Sequence, residues 1–211
     1  MNVWVVVVAG GMGVRFGTIK QYEQLGDRRV LDWALAAARA VAEGVVLVAP
    51  ADRAGNGEPG ADALVAGGAT RAASVRAGLA AVPGEAEIVV VHDAARPLAS
   101  PALFEAVVRA VEEGADGAVP GLQPADTIKT TDGEIVTGTL ERGRLVAVQT
   151  PQAFAAALLR RAHDGDPEAG DDAALVEAIG GRVVVVPGEE ANTKITTQHD
   201  LLVARAFIAG A

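Results

Sequence analysis

The chain has 211 residues, half of them apolar, with a formal net charge of −9 and no cysteine. That length fits one large domain with a substantial core, and no apolar run approaches the roughly 18 residues that a membrane span needs. The acidic balance argues against a nucleic-acid duplex or an anionic membrane as partner; the missing cysteines exclude disulfides and thiolate chemistry and leave the cytoplasm as the default location.

Residues 3–9, Val-Trp-Val-Val-Val-Val-Ala, form the short β-branched run expected of a strand buried on both faces. The run lacks the basic leader and cleavage site of a signal peptide. It ends in Gly10, Gly11, Gly13 and Gly17, with Arg15 and Lys20 at the lip of the same turn. Glycines let bare backbone N–H groups approach a ligand, and two cations beside them suit phosphate. A Walker loop is excluded because no Gly-Lys-Ser/Thr ending follows. A dinucleotide fingerprint fails at Phe16, which stands where the third glycine belongs. What remains is either a nucleotide site of another type or an ordinary glycine-rich turn.

Further along, residues 30–42 predict a helix closed by Gly44. Residues 45–49 predict a second buried strand stopped by Pro50, and 51–62 a loop. A short strand at 63–66 runs into Gly67-Gly68, and a helix follows over 70–81 with Thr70 as its N-cap. Residues 88–92 predict a strand that delivers Asp93-Ala94-Ala95-Arg96-Pro97. Ser100-Pro101 opens a helix that runs to about residue 113, and 117–120 is strand-like. From 123 to 148 the pattern changes: 127–131 and 134–139 alternate polar and apolar around Asp132-Gly133, a hairpin signal that predicts an exposed β-arm. Residues 144–148 return to the main sheet. Helices are expected at 153–162 and 172–179, a strand at 183–186, and a closing helix at 201–208 after threonine caps.

Strands alternating with helices predict a doubly wound, mostly parallel α/β sheet over 1–211, with 123–148 as a protruding subregion. Ligands in such sheets sit at the carboxyl ends of strands. The glycine loop, Gly67-Gly68 and residues 93–97 all follow strand ends, so one crevice is expected to gather them. The basic residues sharpen this: fifteen are Arg and only three are Lys. Lys20, Lys129 and Lys194 fall in Lys-Gln-Tyr, Asp-Thr-Ile-Lys and Asn-Thr-Lys-Ile-Thr, and an ammonium is not interchangeable with a guanidinium at a phosphate.

The stretch Ala-Gly-Gly-x-Gly-x-Arg-x-Gly followed by Lys-Gln-Tyr resembles the signature of sugar-phosphate nucleotidylyltransferases. Four more stretches extend the likeness: Gly67-Gly68-Ala69-Thr70-Arg71-Ala72-Ala73-Ser74-Val75, Val91-His92-Asp93-Ala94-Ala95-Arg96-Pro97, the pair Asp126-Thr127-Ile128-Lys129 and Gln149-Thr150-Pro151-Gln152, and Asn192-Thr193-Lys194-Ile195-Thr196. In this order they resemble the 2-C-methyl-D-erythritol 4-phosphate cytidylyltransferase family over nearly the whole chain. The resemblance implies a Rossmann-like nucleotidyltransferase that joins CTP to a small polyol phosphate and releases pyrophosphate, in non-mevalonate isoprenoid synthesis. A phosphate monoester is largely ionised at neutral pH, because its second pKa is about 6. Such a reaction needs charge neutralisation and positioning rather than a general base.

Roles are implied residue by residue. Arg15 and Lys20 would stabilise the five-coordinate phosphorus, while Ala9, Gly10, Gly11 and Gly13 hold the triphosphate. Gly68 and Ser74 would read the cytosine edge, and Ala94 would line the substrate site. Asp93 would face Mg²⁺, which takes one or two carboxylates plus substrate phosphates. Arg96, Thr127, Arg142 and Lys194 would hold the acceptor, with Thr150 lining the site. The arm would reach a partner subunit, so that a homodimer shares Thr127 and Arg142 across its active sites.

Each residue also has a plainer reading. Arg15, Arg142 and Lys194 would serve as solvated cations, Asp93 as a turn cap, Ser74 as a structural helix residue, Arg71 as a brace for the Gly67-Gly68 turn, and His92 as packing at a sheet end. The chain departs from the family pattern at Ile19 and Val8, where proline is usual, at Ala69, often acidic, and near Gly170, where a threonine hydroxyl is usual. The Arg15-to-Lys20 connection is also about two residues short. The competing readings are a ribitol 5-phosphate cytidylyltransferase, a nucleotide-binding relative without turnover and, disfavoured by Phe16, a dinucleotide oxidoreductase.

Overall fold

Eight strands share one sheet in the computed structural model of the chain, which describes residues 1–11, 16–55 and 57–210. In chain order the elements begin with β1 (Val3–Val8), the two-residue strands β2 (Gln24–Leu25) and β3 (Arg28–Arg29), α1 (Val30–Arg39), β4 (Gly44–Ala49), β5 (Ala63–Ala66) and α2 (Arg71–Ala81). Then come β6 (Ile88–Asp93), α3 (Pro101–Glu112), β7 (Gly117–Leu122), β8 (Lys129–Asp132), β9 (Ile135–Thr139) and β10 (Ala147–Val148). The chain closes with β11 (Gln152–Ala155), α4 (Ala156–Ala162), α5 (Asp172–Ala178), β12 (Val183–Pro187) and α6 (Gln198–Ala209).

The main sheet runs β10-β7-β11-β6-β1-β4-β5, with β12 on the free side of β7. Strand β1 pairs in parallel with both β4 and β6, and β5 and β12 pair in parallel with β4 and β7. Within this sheet β10 and β11 run antiparallel to their neighbours. The doubly wound α/β expectation therefore holds. From β1 the chain moves outward through β4 and β5, then returns to place β6 on the other side of β1. That reversal opens a crevice between the carboxyl ends of β1 and β6, where ligands of such sheets bind. Register sets Val8 opposite Asp93, so the glycine loop and the Asp93 turn leave the sheet side by side.

Both faces of β1 are buried, as its β-branched run requires. Val5 and Val7 pack with Leu31, Leu35, Val90, Phe104 and Val107 under α1 and α3. Val6 packs with Val46, Val48, Val75, Leu79 and Leu159 under α2 and α4. A third cluster gathers Phe16, Leu25, Val30, Ile195 and Leu201 under α6. Phe16, the residue that spoils the dinucleotide fingerprint, is thus a core side chain.

Three local expectations are corrected. Residues 153–162 are not one helix: 152–155 form β11, inserted between β6 and β7, and only then does α4 begin. Gly44 does not close a helix with a left-handed turn; it opens β4 against the Trp4 indole, which lies where a Cβ would stand. The β8–β9 hairpin turns on Gly133-Glu134, since Asp132 pairs with Ile135, and positive φ at Gly133 matches the turn type with glycine first. The helix starts fare better. Thr70, Ser100 and Thr197 each accept a backbone N–H from three residues ahead, at 3.0, 3.1 and 3.4 Å. Among the described residues no helix is long and apolar enough to cross a membrane.

Candidate active site

Two clefts open at the carboxyl ends of β1 and β6. The larger, about 820 Å³, is lined by Ala9, Gly10, Gly11, Lys20, Gly68, Ser74, Asp93, Ala94 and Lys194 among others. The smaller, about 280 Å³, is lined by Arg96, Gln149, Thr150, Gln152, Gly170 and Asp171. Arg71, Asp93 and Lys194 border both. Most of the anticipated residues therefore converge. Gly13 and Arg15 lie outside the described residues. Thr127 and Arg142 line neither cleft: both are exposed on the arm, and Arg142 Nη1 donates to the Ala125 carbonyl at 2.7 Å.

The wall of the larger cleft depends on close backbone approach. Ser74 Oγ donates to the Thr70 carbonyl at 2.8 Å and accepts the Gly68 N–H at 3.1 Å, folding the Gly67-Gly68 turn onto α2. A Cβ on Gly68 would stand 2.5 Å from the Ala73 methyl, so only glycine fits there. On the opposite side Gln21, fully buried in the Lys20–Tyr22 turn, donates through Nε2 to the Ala9 carbonyl and, at 3.0 Å, to the Gly11 carbonyl. The Lys-Gln-Tyr motif is thereby clamped to the glycine loop, and Lys20 is delivered to the cleft. The sequence alone assigns Gln21 no role.

Asp93 sits at the junction. Lys194 Nζ donates to its Oδ2 at 2.6 Å, and Arg71 Nε approaches Oδ1 at 3.4 Å. Burial alone would push the Asp93 carboxyl up, but Lys194 and Arg71 outweigh it and hold the group well below the usual carboxylate range. The carboxylate therefore stays ionised although its side chain is only 10 % exposed.

Beneath it lies a short relay. The Asp93 N–H donates to Thr150 Oγ1 at 3.0 Å, and Thr150 Oγ1 lies 3.2 Å from His92 Nδ1. His92 Nε2 lies 3.2 Å from the Arg96 carbonyl, which can only accept, so Nε2 carries the proton and Nδ1 receives the threonine hydroxyl. Burial pushes the imidazole down to about 4, against the opposing pull of Asp93, and the ring is neutral. His92 is more than packing: it locks Thr150 under the Asp93 backbone.

The smaller cleft carries polar atoms already stripped of water. Arg96 Nη1 donates to the Asn192 carbonyl at 2.7 Å, while its Nε is buried without a partner among the described residues. Burial lowers the Arg96 pKa, and Asp93 counters only part of that shift. Gln152 Nε2 donates to Asp171 Oδ2 at 3.0 Å, which fixes the amide and leaves Oε1 as a buried acceptor unmatched among the described residues. Among the described residues Arg71 Nη2 is likewise unmatched. Two cationic donors and one acceptor around one small cleft suit an anionic ligand that also bears hydroxyls. Gln149 and Asn192 hold this wall together, with Asn192 Nδ2 on Gln149 Oε1 at 3.2 Å and on the Thr150 carbonyl at 3.0 Å. For Gln152 and Asn192 the sequence assigns no role, and for Arg71 only that of a brace. Their type signals polarity, but nothing local announces partners that lie up to about a hundred residues away.

Comparison with known proteins matches this geometry. A sequence model described as IspD, 2-C-methyl-D-erythritol 4-phosphate cytidylyltransferase, matches residues 3–210. The chain is 44 % identical over 217 residues to the 2-C-methyl-D-erythritol 4-phosphate cytidylyltransferase of Rubrobacter xylanophilus, covering 97 % of this chain and 94 % of that protein. It is also 44 % identical to the bifunctional enzyme IspD/IspF of Nitratidesulfovibrio vulgaris, of which it spans 57 %. The crystal structure of the 2-C-methyl-D-erythritol 4-phosphate cytidylyltransferase from Thermus thermophilus superposes with a TM-score of 0.83 at 37 % identity, covering 97 % of this chain and 98 % of that one. The chain belongs to the 2-C-methyl-D-erythritol 4-phosphate cytidylyltransferase family.

Proposed function

We propose that the chain transfers CMP from CTP to 2-C-methyl-D-erythritol 4-phosphate, with the nucleotide in the larger cleft and the acceptor in the smaller. The observation that carries this reading is the shared border: Arg71, Asp93 and Lys194 face both clefts, so two substrates would meet there. An acceptor phosphate oxygen forms the new bond to the α-phosphorus of CTP. The bond from that phosphorus to the bridging oxygen breaks, and pyrophosphate leaves with its electron pair. The attacking oxygen is already an anion at neutral pH, and the histidine in the junction is held neutral and committed to Thr150 and Arg96. The burden falls on cations and positioning.

Lys20 and Arg15 would neutralise the charge that develops on the phosphoryl oxygens. Lys194 and Arg96 would hold the acceptor phosphate, and Gln152 Oε1 offers an acceptor to one of its hydroxyls. Gly10, Gly11 and Gly13 would give backbone N–H groups to the triphosphate; Gly68 and Ser74 would shape the base pocket. The site fits Mg²⁺. Asp93 supplies one carboxylate that Lys194 and Arg71 keep ionised at neutral pH, and among the described residues no cluster of three His, Cys, Asp or Glu side chains could hold an ion alone. That donor set suits an ion shared with substrate phosphates. Bound there, Mg²⁺ would supply charge neutralisation on the triphosphate.

The arm supports a homodimer. Ile135 is 71 % and Val136 57 % exposed on β9, with Leu140 and Val146 also uncovered, and Thr127 and Arg142 lie beside them, away from their own clefts. A partner subunit would cover the first set and receive the second at its acceptor cleft. Its biosynthetic relatives support a cytoplasmic location. The test is pyrophosphate release with Mg²⁺, comparing CTP with the other triphosphates and methylerythritol phosphate with ribitol 5-phosphate. Release confined to CTP with methylerythritol phosphate is expected; release with ribitol phosphate alone would reassign the acceptor, and none with any pair would remove the transferase reading.

A further inference from the structure

Arg71 stands at the first turn of α2, just after the Thr70 cap, and its guanidinium spans two carboxylates. Nε approaches Asp93 Oδ1 at 3.4 Å, and Nη1 donates to Asp172 Oδ2 at 2.7 Å. Asp172 is buried, its side chain 1 % exposed, and its other oxygen lies 3.1 Å from His163 Nε2. The result is a chain of side chains, His163–Asp172–Arg71–Asp93–Lys194, that crosses from α4 and α5 to the junction of the two clefts.

We infer that Arg71 is a positioning residue for the transfer: anchored by Asp172 and His163, it holds the Asp93 carboxylate in place from the side opposite Lys194. This rests on the reaction proposed above. Three features distinguish the arrangement from a plain internal ion pair. A fully exposed arginine would hold Asp93 loosely, but the buried Asp172 fixes this guanidinium at a second point. Arg71 borders both clefts, so its placement bears on both substrates. Its third nitrogen, Nη2, is buried with no partner among the described residues, a costly state for a cationic donor. Asp93 needs such a clamp. Lys194 is 41 % exposed and has an acceptor phosphate to bind, so a carboxylate held by Lys194 alone would lose its register when that lysine changes partners.

The test separates stability from turnover. Arg71→Met strands the buried Asp172 carboxylate, leaving His163 as its remaining partner among the described residues, so that variant unfolds at lower temperature for reasons unrelated to Asp93. Adding Asp172→Asn removes the stranded charge. The double variant is expected to regain most of the lost thermal stability and to bind CTP within about tenfold of the parent, yet to turn over about 10²-fold more slowly, the loss lying in kcat. Placing Arg71→Lys on the Asp172→Asn background gives Asp93 a cation again and is expected to recover about tenfold in kcat. A double variant that is stable and turns over within about threefold of the parent would overturn the inference and leave Arg71 a structural residue. A loss seen only in CTP affinity would overturn it too. If the parent itself releases no pyrophosphate, the reaction assignment has failed instead.

Discussion

Lys194 Nζ and Asp93 Oδ2 lie 2.6 Å apart although 101 residues separate them. Lys194 reaches that place because the Ile195 N–H donates to the Ala95 carbonyl at 2.8 Å, stitching its loop onto the turn that follows β6. The ammonium keeps Asp93 ionised and, in the proposed reaction, would also receive the acceptor phosphate. Lys194→Met should lower kcat/KM for the acceptor about 10²- to 10³-fold, as loss of one charge-stabilising donor does. CTP affinity, read by calorimetry, should stay within about tenfold. An unchanged acceptor kcat/KM would show that the pair is only structural.

The arm makes a prediction about stoichiometry. Arg142 donates to Ala125 on its own arm and faces neither of its own clefts, so its proposed substrate belongs to the neighbouring subunit. Arg15→Met and Arg142→Ala should each inactivate the proposed homodimer. Mixed one to one and allowed to exchange, half of the dimers are heterodimers with one intact site of two. Activity should therefore return to about a quarter of the parent level. No recovery after demonstrated exchange would confine Arg142 to its own subunit.

Packing of α2 on the sheet can be tested without touching the chemistry. Gly78 faces β1 and β4, and a Cβ there would collide with Val6 Cγ1 and stand 2.9 Å from Val48 Cγ2. Gly78→Ala forfeits the usual helix-propensity gain of roughly 1 kcal/mol because the helix must lift off its sheet. A net destabilisation of about 1–3 kcal/mol is expected from overpacking, measured by urea unfolding. A stabilised variant would mean that α2 can shift without cost.

What the sequence made legible follows a physical divide. The placement of Gly10, Gly11, Asp93, Arg96 and Lys194 on the cleft walls was readable from the motifs that carry them, and doubly wound topology brings strand ends such as those before Gly10 and at Asp93 together whatever their separation. The caps at Thr70, Ser100 and Thr197 were readable because a cap is local. By contrast, β11 was hidden: Ala153, Ala155 and Ala156 favour helix, and only burial between β6 and β7 makes a strand of 152–155. Gly44 was misread because its reason, the Trp4 indole, lies forty residues away. Gln21, Gln149, Gln152 and Asn192 escaped assignment for the same cause, since a polar side chain inside an apolar context announces that it has partners but not which ones. The Arg71–Asp172 pair joins elements 101 residues apart, and no spacing in the chain foretells it.

Acid stability offers a last test, at the start of α6. Asp200 Oδ2 accepts the N–H groups of Thr196 and Thr197, both at 2.8 Å, and lies 3.0 Å from the Thr197 hydroxyl. Partial burial would raise the carboxyl, but these donors prevail and lower it. A group whose folded pKa is depressed contributes stability that is present above its unfolded value, about 4, and lost as pH falls through the folded value. The chain should therefore lose stability from this cap only below about pH 4. Asp200→Asn should cost about 1 kcal/mol at neutral pH, with the difference from the parent shrinking as pH falls through that window. Because Thr196 Oγ1 also donates to the Lys194 carbonyl at 3.1 Å, a loosened α6 start should weaken the acceptor's KM by a few-fold as well. Thermal unfolding of both proteins between about pH 3 and 7 checks the first claim; a pH-independent gap between them would rule out the carboxylate as its source.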